Sequence, residues 1–281
     1  MSEKHVTLPD GTRLPAIGQG SWNMGERPEQ RPAEVRALQQ GLDAGLTLID
    51  TAEMYADGGA EEVVGQAIAG RREEAFIVSK VYPHHAAGHK AVKACENSLR
   101  RLKIEQIDLY LLHWRGSARL EETIAAMEKL QQSGKIARWG VSNLDTDEME
   151  TLWRLPGGDQ CQTNQVLYHA ASRGIEFDLL PWCGEHALPV MAYCPLAQAG
   201  QRLLEEGTLN RLAAEHGVSS AEVALAWVIR NGQVMAIPKA VQPQHVAQNA
   251  RALALTLSPE DMLAINQAFP PPERKVPLAV I

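Results

Sequence analysis

Asp50, Lys80 and His113 each close a different apolar run of the sequence, and Tyr55 follows Asp50 by five positions. A carboxylate, an ammonium, an imidazole and a phenol brought together form an acid–base set. A phenol has a reference pKa of about 10 and exchanges protons sluggishly near neutrality. A lysine cation beside it favours the phenolate and lowers that value, while an aspartate paired with the lysine holds it charged and in place. Such a set suits a reaction that puts negative charge on an oxygen. Tyr55 would be the acid, Lys80 its tuner and Asp50 the anchor, with His113 donating a hydrogen bond to the same oxygen. Taken singly, a strand-end lysine or aspartate is more often a solvated terminus or an ordinary salt bridge. The chemistry therefore depends on all four residues meeting, and their meeting depends on the fold.

The apolar, β-branched-rich runs at 46–50, 75–80, 107–113 and 138–143 recur at intervals of about 30 residues. Between them lie helical patterns: Val35, Leu38 and Leu42 before Gly45; Val92, Cys95, Leu99 and Leu102; Ile124, Met127 and Leu130 before Gly134. Two of these stop at a glycine suited to a left-handed cap. Nearly continuous apolar strands alternating with amphipathic helices imply parallel pairing through right-handed crossovers. Further strands fit 16–20, 161–165, 189–193 and 234–237, which makes eight. The length matches the ~250 residues of a (β/α)₈ TIM barrel, whose strands all end at one mouth. The segment 6–14, with Asp10-Gly11 between β-type residues, reads as an N-terminal hairpin capping the barrel bottom. Late helices are signalled by Ser219 with Glu222 and by Ser258-Pro259. With no linker in sight, residues 1–281 are expected to form one domain with extra C-terminal helices.

A doubly wound sheet would alternate similarly, but its dinucleotide fingerprint is missing: after Gly18 and Gly20 the third glycine position holds Asn23. Gly134-Lys135 lacks the upstream glycine of a P-loop. Any nucleotide would bind in another fashion.

The run 45–55, Gly-Leu-Thr-Leu-Ile-Asp-Thr-Ala-Glu-Met-Tyr, with Glu61 and Gly65 downstream, resembles the first signature of the aldo-keto reductases. Val78-Ser79-Lys80, Leu112-His113-Trp114, Gly140-Val141-Ser142-Asn143, Asn164-Gln165, Tyr193-Cys194-Pro195-Leu196 and Ile237-Pro238-Lys239 are similar to further motifs of that family, in order along nearly the whole chain. Among its members the likeness is greatest to bacterial methylglyoxal and general aldehyde reductases. The resemblance implies NADPH-dependent reduction of small aldehydes and ketones, with Asp50, Tyr55, Lys80 and His113 as the catalytic tetrad. It further implies that Ser142, Asn143 and Gln165 hydrogen-bond a nicotinamide carboxamide and that Tyr193 stacks on the ring. The loop of Pro195, Leu196, Ala197, Gln198 and Gly200 would offer N–H groups to the pyrophosphate. Ile237, Lys239, Ala240, His245, Gln248 and Asn249 would meet the adenosine end. Trp22 and Trp114, each directly after a strand end, would line the substrate mouth together with Tyr55 and His113.

The adenosine end departs from the family pattern. The hydroxyl residue common after the lysine is Ala240, the usual arginine is His245, and the usual glutamate is Gln248. A neutral imidazole grips a 2′-phosphate less firmly than a guanidinium fork. The expected outcome is a reduced NADPH preference, with NADH usable at lower efficiency, that strengthens as His245 protonates below its reference pKa of about 6.5. The loop after His113 and the tail from Pro270 are both short, so a shallow, open mouth and loose specificity for small electrophilic carbonyls are expected.

Rival readings are a Schiff-base aldolase using Lys80, which needs an uncharged lysine, and a nucleotide-sensing regulatory protein with little turnover. Composition narrows the remainder. Lys plus Arg number 27 against 34 Asp plus Glu, a net charge of −7, which disfavours nucleic acid as a partner. No apolar run approaches the ~18 residues of a membrane span, and no signal segment opens the chain. The four cysteines form no Cys-x-x-Cys pair, and His84, His85 and His89 lack completing ligands, so no metal is expected. Reduced thiols in a cytoplasm and a monomer are the default expectations.

Overall fold

The computed structural model describes residues 4–198 and 202–281. Eight strands pair in chain order, all parallel: β3 (Gln19–Gly20), β4 (Leu48–Asp50), β5 (Phe76–Val81), β6 (Ile107–Leu112), β7 (Ile136–Ser142), β8 (Asn164–Leu167), β9 (Val190–Tyr193) and β10 (Val234–Ala236). They follow a two-stranded antiparallel hairpin, β1 (His5–Thr7) and β2 (Arg13–Pro15). The first and last barrel strands meet through a parallel bridge between Ile17 and Ala236. Gly18 N donates to Ala236 O (2.8 Å), and Gly20 N donates to Pro238 O (3.0 Å). Closure requires glycine at position 20, where a Cβ would lie 2.7 Å from the Ile237 carbonyl oxygen. The chain thus forms the expected (β/α)₈ barrel.

The helices occupy the crossovers: α1 (Arg31–Asp43), α2 (Gly59–Ala67), α3 (Gly88–Leu102), α4 (Leu120–Gln132), α5 (Thr146–Arg154) and α6 (Leu179–Glu185). Two helices, α7 (Gly207–His216) and α8 (Ser220–Val228), share the crossover into β10, and α9 (Pro243–Ala252) and α10 (Pro259–Ala268) follow it. Gly45 and Gly134 adopt the left-handed conformation foreseen for them, with φ of +86° and +72°. Ser219 and Ser258 cap α8 and α10, accepting from the backbone N–H groups of Glu222 and Asp261.

The hairpin covers the N-terminal end of the barrel. Asp10 N donates to Gln162 Oε1 (3.1 Å), and Arg138, near the start of β7, pairs with Asp10 and donates to Thr12 Oγ1 (2.8 Å). The opposite end is left for the strand termini that carry the acid–base set.

One strand is displaced from its expected place, running over Asn164–Leu167 rather than 161–165. Gln165 does not end it. Its side chain turns inward to Asp50, while Val166 and Leu167 continue to pair with Ala192 and Tyr193 of β9.

Candidate active site

The four residues of the acid–base set converge at the C-terminal mouth. Lys80 lies on β5 with its side chain wholly buried, and its Nζ donates to Asp50 Oδ2 (2.7 Å), the Thr51 carbonyl (2.9 Å) and Tyr55 Oη (3.1 Å). Three acceptors match the three N–H bonds of an ammonium. Asp50 Oδ1 accepts from Gln165 Nε2 (2.8 Å), so both carboxylate oxygens are engaged. Tyr55 opens a tight turn, Tyr55–Gly58, in which Ala56 and Asp57 take left-handed backbone (φ +51° each) and which leaves the Tyr55 hydroxyl beside Lys80. The turn ends on Gly58 at φ +92°, where a Cβ would meet Arg101 Cδ at 2.4 Å, so only glycine closes it. Arg101 in turn donates to the buried Glu61 (2.6 Å), which also accepts from Ser79 Oγ (2.6 Å). The Tyr55 turn therefore rests on the strand that carries Lys80.

Burial sets the electrostatics. It lowers the Lys80 pKa and raises that of Asp50, each opposed by the other's charge. Tyr55 is pushed well above the ordinary phenol value by burial, then by the charges of Asp50 and Cys194. The expectation of a net lowered Tyr55 pKa is thus corrected: burial outweighs the neighbouring Lys80 charge, and the resting phenol stays protonated at neutral pH. His113, just past β6, is lowered to about 3 by burial and by Lys80, so its ring is neutral. Its Nδ1 is buried with no hydrogen-bond partner among the described residues. The ring meets Tyr55 edge-on at 5.9 Å between centroids and Trp114 at 4.7 Å.

Asp50, Tyr55 and His113 face a cavity of about 490 Å³; Lys80 sits behind its wall. Trp22 and Trp114, both more than a third exposed, flank the opening. On the far wall Ser142 Oγ donates to the Gln165 carbonyl (2.8 Å), Asn143 Nδ2 to the His113 carbonyl (3.2 Å), and Tyr193 Oη to Asn143 Oδ1 (2.8 Å). Asn143 adopts φ +58°, a conformation that asparagine tolerates better than most residues. The loop after β9 supplies Pro195, Leu196, Ala197 and Gln198, and the run after β10 supplies Ile237 and Lys239. Ala240, His245, Gln248 and Asn249 do not face this cavity: Ala240 follows Lys239 just beyond it, and the other three lie on α9, where His245 is exposed and Asn249 buried. Gly200 lies outside the described residues.

The family model described as the aldo/keto reductase family matches residues 16–269. The chain belongs to the aldo/keto reductase family. It is 57% identical over the full length of both chains to methylglyoxal reductase YeaE of Escherichia coli strain K12. It is 34% identical to a glyoxal reductase of Bacillus subtilis strain 168, across 93% of this chain and 91% of that protein. Among solved structures, an aldo/keto reductase of Klebsiella pneumoniae in complex with NADP and acetate superposes with a TM-score of 0.98, at 56% identity and full coverage of both chains.

Several residues of this reductase mouth carried no sequence signal of their own. Glu53 Oε1 accepts from Tyr82 N (2.6 Å) and contacts His85 Nδ1 (3.1 Å). The Tyr82 ring meets Trp114 edge-on at 5.9 Å, which braces the rim. The tail reaches back to the edge of the mouth. Lys275 Nζ bridges Asp145 Oδ1 (2.5 Å) and Asp178 Oδ2 (2.6 Å), and Ile281 joins the cavity wall. Position alone could have pointed to Tyr82, since it follows a strand end as Trp114 does. The tail contacts bring together residues about 100 positions or more apart and leave no local pattern.

Proposed function

We propose that this protein reduces small aldehydes and ketones, methylglyoxal among them, to alcohols with NADPH, and with NADH at lower efficiency. The observation that carries the reading is the Tyr55 hydroxyl, 3.1 Å from the Nζ of a buried lysine and on one cavity wall with His113. The residues present fit a nicotinamide dinucleotide. The Gln165 amide donates to Asp50, which leaves its oxygen to accept from a carboxamide, and the half-buried Tyr193 offers a ring face. Lys239 sits on the cavity wall without an ion pair among the described residues, a free positive charge for phosphate. When bound, the dinucleotide supplies the hydride.

Tyr55 gives its phenolic proton to the carbonyl oxygen as negative charge develops there. The phenolate left behind lies against the Lys80 ammonium, which Asp50 holds in place, so the proton donor becomes stronger as the reaction proceeds. His113 donates an N–H to the same oxygen and orients the carbonyl. The opening between Trp22 and Trp114 suits a small electrophile. All these side chains come from one chain, and we take a monomer with a single domain over 1–281 as the working unit. The four unpaired cysteines, three of them buried, suit a reducing cytoplasm. No described helix is long and apolar enough to cross a membrane.

The aldolase reading loses support here, because Lys80 is fully buried with every N–H engaged and offers no lone pair for a Schiff base. A panel of small aldehydes tests the proposal. NADPH consumption matched one-to-one by alcohol formed is expected; tight NADPH binding without turnover on any of them would refute it in favour of a sensor.

A further inference from the structure

Beyond the mouth already described lies a second cavity of about 550 Å³, between the end of β8, the segment after residue 201 and the folded-back tail. Its walls are apolar over Leu167, Leu203, Phe269 and Ile281. One polar side chain stands out. His169 lines this cavity at 2% exposure, and neither ring nitrogen has a hydrogen-bond partner among the described residues. Leaving buried polar atoms unpaired is costly, so native proteins seldom carry them without a ligand or water to satisfy them. Burial lowers the His169 pKa to about 4, which keeps the ring neutral, with one N–H to donate and one nitrogen to accept.

The charged groups nearby are otherwise occupied. The Glu206 carboxylate caps α7, accepting from Thr208 N (2.8 Å) and Leu209 N (3.0 Å). Arg202 is largely exposed at the rim, 3.6 Å from Glu205. The interior therefore offers apolar surface, the unpartnered His169 imidazole and the partly buried hydroxyl-bearing Ser172, with no buried charge to pair with an ion. An ionised ligand would lose its hydration without compensation. A neutral molecule with an aliphatic body and a single hydroxyl would bury the body and satisfy the imidazole.

We propose that this cavity is a second binding site, distinct from the reductase mouth, for a small neutral alcohol held by His169. Ile281 is a wall of both cavities, so occupancy here bears on the shape of the other.

The test uses full-length protein saturated with NADPH and carrying ¹³C-labelled histidine, titrated with 1-hexanol and separately with hexanoate. The His169 ring signal, identified by its loss in His169→Leu, should move saturably with hexanol and more weakly with hexanoate, while the His113 signal stays in place. Calorimetry should show hexanol affinity falling about fivefold or more in His169→Leu, the equivalent of one hydrogen bond, and being largely kept in His169→Gln. Leu203→Trp, which fills the cavity and spares the imidazole, should abolish binding; it decides the matter if His169→Leu does not fold. Three results would overturn the proposal: no saturable response, hexanol binding unchanged in both Leu203→Trp and a folded His169→Leu, or hexanoate binding tighter than hexanol. The last would assign the affinity to Arg202.

Discussion

Replacing Lys80 with methionine removes the ammonium and keeps most of the side-chain volume, so it isolates the charge on which the proton transfer depends. Two unit charges 3.1 Å apart, the Lys80 Nζ to Tyr55 Oη distance, interact by about 5 kcal/mol at an effective dielectric of ~20. At 1.4 kcal/mol per decade, losing that stabilisation of a forming phenolate slows the chemical step by about a thousandfold to ten-thousandfold. The folded state suffers as well. Asp50 is left buried and unpaired, a loss of about 3–5 kcal/mol for one-sided removal of a buried pair. The remaining Gln165 contact and uptake of a proton by Asp50, whose pKa burial already raises, reduce that loss. Single-turnover kinetics with methylglyoxal and NADPH would read the first effect and urea unfolding the second, with NADPH affinity by fluorescence expected to change less than about threefold. If Lys80→Met kept more than a tenth of the wild-type single-turnover rate, the lysine would not be stabilising the departing proton's anion and the role given to it would be wrong.

Other outcomes follow from the same geometry. Because His113 is lowered to about 3 and Tyr55 raised well above 10, kcat should be flat between pH 6 and 8; a titration in that window would point to another group. The depressed His113 pKa also makes a stability contribution that is complete above the unfolded-state value of about 6.5 and is lost as pH falls toward 3. His113→Gln should therefore flatten the fall in unfolding free energy between pH 6.5 and 4, and an unchanged slope would contradict it. Tyr82→Ala frees the edge of Trp114 and should raise KM for methylglyoxal severalfold with little change in kcat, as should Lys275→Ala, which unpins the tail. His245→Arg should increase the preference for NADPH over NADH by lowering KM for NADPH alone; an equal effect on both cofactors would remove this residue from phosphate recognition.

The barrel and the convergence of Asp50, Lys80 and His113 were legible because strand ends in this architecture share one mouth, and each apolar run stops at the residue in question. The end of β8 was not, since Gln165 looks like a terminus but is an inward-facing polar residue whose partner, Asp50, lies 115 positions away. The protonation state of Tyr55 could not be read either. The chemistry of a neighbouring lysine suggests a lowered pKa, yet burial dominates, and burial is a property of the assembled core. The anchoring of the tail beside the mouth depends on Lys275 reaching Asp145 and Asp178, the N-cap residues of α5 and α6, a contact that no periodicity encodes.

Tyr55→Phe tests the central claim most directly, because it deletes one oxygen and leaves the ring that packs against His113. NADPH should bind the variant within about twofold of wild type, since that oxygen is assigned to the substrate carbonyl and not to the dinucleotide. Methylglyoxal reduction should fall by about a thousandfold or more, the loss of a positioned proton donor together with its lysine-stabilised anion. A variant that binds NADPH normally and still reduces methylglyoxal at more than a tenth of the wild-type rate would contradict the account.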